Sequence, residues 1–142
     1  MYLLDTDHLG ILQGRVQPEV SRLLSRMARY SQADFFVSIV SFHEQVAGWY
    51  NYLNRARTPA AVVLAYRMLE NVLADFAAMQ VLPFDDGAAA QFESLRRQRV
   101  RIGTMDLRIS AIAIARTFTV LSRNLVDFQK VPGLKVEDWT TA

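Results

Sequence analysis

The chain contains no cysteine. That absence removes disulfides, thiolate zinc sites and cysteine nucleophiles together, and it fits a reducing cytoplasm. Histidine is scarce: His8 and His43 are the only two, a poor zinc set without thiolates. Lysine is nearly missing as well. Lys130 and Lys135 stand against fourteen arginines, and arginine's planar fork matches phosphate oxygens bidentately where lysine offers a point charge. Codon bias accounts for such a skew equally well. No apolar run approaches the ~20 residues of a membrane-spanning helix. The N-terminus shows no basic segment leading into a long apolar stretch, so neither a membrane anchor nor a secretory leader is expected. Linkers, internal repeats and low-complexity segments are also absent.

What is present is ordinary for a globular protein. The 142 residues are 51% hydrophobic and 21% charged, with a formal net charge of only +2. A chain of this length buries roughly 70% of its unfolded surface and needs no covalent staple. One domain over residues 1–142 is the expectation.

Hydrophobic runs alternate with helical periodicity along the chain. Tyr2-Leu4 reads as a first strand, followed by a short helix ending near Gly14. Pro18 opens a helix with Val20, Leu23, Leu24 and Met27 at helical spacing. Phe35–Ile39 is a second strand, rich in β-formers. A helix is expected from Ser41 to about Ala56, and another from Pro59, capped by Thr58, to about Ala78. The apolar side of the latter is read as Val62, Tyr66, Leu69, Leu73 and Phe76. Met79–Leu82 is a third strand, and Asp85 or Asp86 caps a helix ending near Arg99. The segment Met105 to Phe118 is apolar nearly all round in its middle, as a buried helix should be. Thr119–Ser122 and Leu134–Val136 complete five strands. Strands alternating with helices imply an α/β fold with a parallel sheet and helices on both faces.

Four acids sit where such a fold places chemistry. Asp5 ends the first apolar run abruptly, so a buried strand delivers its carboxylate to the C-terminal edge of the sheet. Glu44 follows the second strand, Asp127 follows the fourth, and Asp106 opens the helix that leads into the fourth. If the first and fourth strands are neighbours, chain direction switches between them and a crevice forms there. Each acid also has a purely structural reading. Asp5 could cap a helix, Ser41-x-x-Glu44 resembles a capping box, Asp106 favours a helix dipole, and Asp127 could brace a turn. Gathered together, four carboxylates raise one another's pKa unless a cation is present. Their hard oxygens select Mg²⁺ or Mn²⁺, which would activate water against a phosphodiester.

The segments Leu4-Asp5-Thr6-Asp7-His8-Leu9, Ser38–Glu44, Val81–Asp85, Ile102–Ala111, Leu121–Phe128 and Val131–Trp139 run in order over essentially the whole chain. In this they resemble a PIN domain, specifically the VapC-like toxin ribonucleases of type II toxin–antitoxin pairs. The resemblance implies a three-layer fold with a parallel sheet of about five strands in the order 3-2-1-4-5. It implies an endoribonuclease dependent on Mg²⁺ (or Mn²⁺), with a catalytic set of Asp5, Glu44, Asp106 and Asp127. Asp5 and Asp106 would be the main metal ligands, Thr6 would orient Asp5, and Asn124 would brace the site. It further implies an RNA substrate, homodimers, and a cognate antitoxin protein whose tail blocks the acidic groove. Three positions depart from the family's habit: Asp7 stands where Asn or Ser is common, Ser122 where Thr is common, and His43-Glu44-Gln45 replaces a small residue, Glu and Leu.

Other readings stay open beside this one. A PIN nuclease in RNA processing, or an inactive module that binds RNA or protein, fits the same motifs. Asp5-Thr6-Asp7 loosely matches a phosphatase opening with Asp5 as nucleophile, though the needed lysine is available only at positions 130 and 135. Arg96, Arg97, Arg99 and Arg101 form a basic run that reads either as a grip on RNA backbone or as a solvated helix face. Arg108 and Arg123, flanking Asp106 and Asp127, are better placed for phosphate. Trp49, Tyr50, Tyr52 and Leu53 read as core packing or as an anchor for an antitoxin helix.

Overall fold

The computed structural model describes all 142 residues, Met1–Ala142. Its sheet is built from five short strands: β1 (Tyr2–Leu4), β2 (Phe35–Ser38), β3 (Val81–Leu82), β4 (Thr119–Leu121) and β5 (Lys135–Glu137). All neighbouring strands pair parallel, in the order β3-β2-β1-β4-β5. The order agrees with the sequence expectation. From β1 the chain moves one way to β2 and β3, then returns to the other side for β4 and β5. The topological switch therefore lies between β1 and β4, whose register sets Leu4 opposite Leu121.

Alternation along each strand sorts side chains onto two faces. Leu4, Val37 and Leu121 join one core with Leu9, Leu23, Val72 and Phe76. Leu3 and Val120 point the other way, into a core with Ile109, Ile112, Ala113 and Phe128. Helices α1 (Thr6–Gly14), α2 (Glu19–Met27) and α4 (Pro59–Ala77) supply the first layer, and α5 (Asp86–Arg97) and α6 (Thr104–Arg116) the second. α3 (Ile39–Arg55) contributes to both through Val40 on one side and Phe42 on the other. With both faces covered, the strands can be almost wholly apolar. Trp139 is buried, stacking with Tyr30 and tilting against Tyr2 at a ring separation of 4.6 Å.

Several boundaries differ from the sequence reading for identifiable reasons. α3 begins at Ile39 because Ser38 is the cap, its hydroxyl accepting from the Ser41 N–H at 3.1 Å. Thr58 caps α4 as expected, accepting from the Ala61 N–H, with Pro59 at the first helical position. The buried stripe of α4 is Ala65, Val72 and Phe76; Val62, Tyr66 and Leu73 face solvent. Of the five residues read as its apolar side, Phe76 is buried and Leu69 half-buried, while the other three lie outside. A short helix, α7 (Leu125–Phe128), carries Asp127 and was not expected. Gly133 supplies the positive φ (79°) that turns the chain into β5.

Candidate active site

Asp5 stands one residue past β1 and Ser122 one residue past β4, so the sheet's central register brings them together. The Asp5 backbone N–H donates to the Leu121 carbonyl at 2.9 Å, which continues the ladder to the crevice edge. Asp5 occupies the cap position of α1, yet its side chain makes no capping bond. Neither does α6 use a side-chain cap: Gly103 stands there, which leaves Asp106 in the first turn. Ser38 caps α3, so the apparent Ser41–Glu44 capping box does not exist. The carboxylates of Asp5 and Glu44 are therefore not committed to the capping roles their sequence context allows.

Two hydrogen-bond networks hold the acids. In the first, the Thr6 hydroxyl lies 2.9 Å from both Glu44 Oε1 and Ser41 Oγ. One hydroxyl has one proton, so Thr6 donates to Glu44 and accepts from Ser41. The Thr6 hydroxyl thus holds Glu44, while what Thr6 offers the Asp5 carboxylate is its backbone N–H. In the second, the Asn124 amide donates to Asp106 Oδ2 (3.3 Å) and Asp127 Oδ2 (3.1 Å), tying two acids from different elements to one side chain. Lys130 Nζ also reaches Asp127 at 3.4 Å.

Asp5 is held by Ser122, whose buried hydroxyl lies 2.8 Å from Asp5 Oδ2 and 3.1 Å from Asp7 Oδ2. That hydroxyl already accepts from the Asn124 N–H at 3.0 Å. It has a single proton for two carboxylates, so both contacts are satisfied together only when one acid is itself protonated. Asp7 in turn accepts from the Arg123 N–H at 2.9 Å and from His8. His8 is fully buried, and its Nε2 accepts from the Trp139 backbone N–H at 3.2 Å. A backbone amide can only donate, so the ring proton sits on Nδ1 and is given to Asp7 Oδ1 at 2.8 Å. His43 is exposed and takes no part.

The electrostatics follow from this packing. Burial pushes the Asp5 carboxyl up to about 7; the Asp7 and Asp106 charges push the same way, against the hydrogen bond from Ser122. Burial raises Asp106, reinforced by the charges of Glu44 and Asp127. Burial also pushes Asp7 up, but hydrogen bonds from His8, Arg123 and Ser122 outweigh it and leave it below the usual range. Asp127 is lowered by the Asn124 amide and by Lys130. The structure thus separates acids that are electrostatically strained, Asp5 and Asp106, from acids that are satisfied, Asp7 and Asp127.

No three acidic or imidazole side chains surround one ion-sized point. The acids form a row of neighbours around the β1–β4 crevice rather than a closed cage. Their chemistry nonetheless fits a hard divalent cation. The donors are carboxylate oxygens, two of the carboxyls (Asp5 and Asp106) are raised by burial and by neighbouring acids, and neither of those has an ion pair to a side-chain cation.

No family profile matches the chain. Over 65 residues, 43% of this chain, it is 34% identical to the tRNA(fMet)-specific endonuclease VapC of Salmonella typhimurium, and that stretch covers 49% of the relative. Over 42 residues, 30% of this chain, it is 43% identical to Ribonuclease VapC1 of Rickettsia felis, covering 31% of it. The matched segments thus span about half, or less, of these relatives' length. The structural match is far more extensive. A chain of DNA-bound VapBC from Salmonella typhimurium aligns over 97% of each chain with a TM-score of 0.74, at 22% identity. The chain has a VapC-like PIN-domain fold. Within this PIN fold, sequence reasoning missed Ser122 and Asp7 as partners of Asp5, although both were marked as departures. Their signal was indirect: a buried serine directly after a strand that pairs with β1, and an acid two residues from Asp5. Arg108 and Arg123 make no ion pair; Arg108 instead lies over the Phe92 ring at 5.9 Å.

Proposed function

We propose that this chain is a Mg²⁺- or Mn²⁺-dependent endoribonuclease, the toxin of a type II toxin–antitoxin pair acting in the cytoplasm. The observation that carries the reading is the strained pair Asp5 and Asp106 at the switch point of a VapC-like fold, raised by burial and by the surrounding acids. Asp5 and Asp106 would hold the cation. A bound Mg²⁺ or Mn²⁺ supplies charge neutralisation at the phosphoryl group and a more acidic water. Glu44, aimed by Thr6, and Asp127, aimed by Asn124, position the attacking water and the scissile phosphodiester. Ser122 fixes the Asp5 rotamer, and the His8–Asp7 pair fixes Ser122 from behind.

The toxin role is supported by the similarity to VapC proteins and to chains of VapBC complexes. A cognate antitoxin would neutralise the enzyme, its helix covering exposed aromatic surface such as Tyr50 and Tyr66 on α3 and α4, and the toxin would act as a homodimer.

The test is RNA cleavage by purified protein with Mn²⁺, with EDTA as the control. Asp5→Asn and Asp106→Asn should each lower the rate by at least about 10²-fold while leaving the far-ultraviolet circular dichroism unchanged. Full activity in both variants, or full activity in EDTA, would overturn the assignment.

A further inference from the structure

A cleft of about 800 Å³ opens between the C-terminal end of α5 and the start of α6, and Asp127 forms one edge of it. It is lined by Arg96, Arg99 and Arg101 and by apolar side chains that include Phe92, Val100 and Ile102. The acidic crevice and a basic cleft therefore share a residue. Thr104, two positions before Asp106, lies on the same shared rim. Arg97, in the same basic run, does not line the cleft.

The arginines of the cleft are available. Arg116 is engaged by Asp85 at 3.1 Å and Lys130 by Asp127 at 3.4 Å, whereas Arg99 and Arg101 are exposed and have no acidic partner. Arg96 makes an exposed contact with Glu93 at 3.4 Å and lies over the Phe92 ring at 5.8 Å. Arg99 also adopts the left-handed backbone (φ 60°), at the position just beyond α5 where glycine is usual. A side chain there costs on the order of 1 kcal/mol relative to glycine. An unpaired cation thus occupies a strained position on the rim of a cleft that ends at the acids.

A carboxylate cluster repels the polyanion it would cut, so a strand bound there needs cations on its flank. We propose that this cleft is a subsite for the RNA strand beside the scissile bond. Arg99 and Arg101 hold a backbone phosphate next to the one at the acids, and the apolar lining residues Phe92, Val100 and Ile102 receive the adjoining base. A cleft of this volume fits a nucleotide, whose base has an apolar face wherever it lies in the sequence. The proposal rests on the nuclease reading for what happens to the strand, but not for the binding itself.

The experiment is anisotropy of a 5′-labelled single-stranded RNA decamer of mixed sequence, in EDTA, between about 50 and 200 mM salt. Arg99→Gln and Arg101→Gln should each reduce the slope of log affinity against log salt by about 0.7, and the pair by about 1.4. Arg97→Gln should leave the slope as it is. Arg99→Gly, which relaxes the backbone, must reproduce the loss seen with Arg99→Gln, so that misfolding does not account for it. An unchanged slope in the double variant overturns the proposal, as does an equal loss on Arg97→Gln. Binding of polyglutamate in place of RNA would also overturn it and assign the cleft to an acidic peptide. Cleavage retained by Asp5→Asn and Asp106→Asn would sink the nuclease reading and leave the cleft result standing.

Discussion

Asp5 is where the competing forces are sharpest. It is buried and faces two other acids, and its carboxyl ionises near pH 7 instead of near 3.8. A carboxyl raised on folding contributes stability at low pH, because the folded state keeps a proton that the unfolded chain has lost. That contribution disappears as pH rises through about 7. Metal-free protein should therefore lose stability between pH values of about 4 and 7, by roughly 4 kcal/mol from this group alone. Urea unfolding in EDTA across that range measures it, and Asp5→Asn should flatten the profile. A wild-type stability that climbs through the same window would contradict the assigned burial. The placement of Asp5 and Asp106 beside the β1–β4 crevice could be read at this scale, since Asp5 ends an apolar run and Asp106 opens an apolar helix. The partner Ser122 could not, because it reaches Asp5 and Asp7 only through β1–β4 pairing, across more than a hundred residues of chain.

At the scale of elements, α6 is the piece on which the site depends. Ile109, Ile112 and Ala113 are buried against the sheet, Leu107 packs with Leu95 and Val131, and the same helix presents Asp106 in its first turn. Ile112→Ala should cost about 2–5 kcal/mol of stability by opening a cavity in a fully packed layer. Thermal unfolding would show it as a lowered Tm, and a loss under about 1 kcal/mol would mean that the layer repacks. The burial of α6 could be read from its sequence because it is apolar almost all round. α4 could not be read in the same way. Its large residues Tyr66 and Leu73 lie outside and the small Ala65 lies within, so side-chain size did not mark the buried stripe. α7 is four residues long, too short for periodicity to announce it.

Across the whole molecule, charge is arranged by place rather than by total. A net charge of +2 conceals an acidic crevice between β1 and β4 and a basic cleft that adjoins it at Asp127. If the crevice holds a divalent ion, Mn²⁺ should raise the melting temperature by mass action, equivalent to about 2.7 kcal/mol at a hundredfold excess over Kd. The rise should be larger at pH 8 than at pH 5.5, since Asp5 must surrender its proton to bind. Differential scanning fluorimetry reads both, and Asp5→Asn should remove the effect. The same rise in that variant would place the ion elsewhere. No helix of the protein is long and apolar enough to cross a membrane.

The alternation of apolar runs with helical periods determined the α/β class. The abrupt end of the first run at an acid located the crevice, because both signals are local and arise from short stretches of chain. Tertiary structure alone decided which residue holds which. Thr6 went to Glu44, Asn124 bridged Asp106 and Asp127, and Ser122 was left with one proton for two carboxylates. Those pairings depend on strand register and helix approach, which no spacing along the chain encodes, and the same is true of the arginines that share a rim with Asp127.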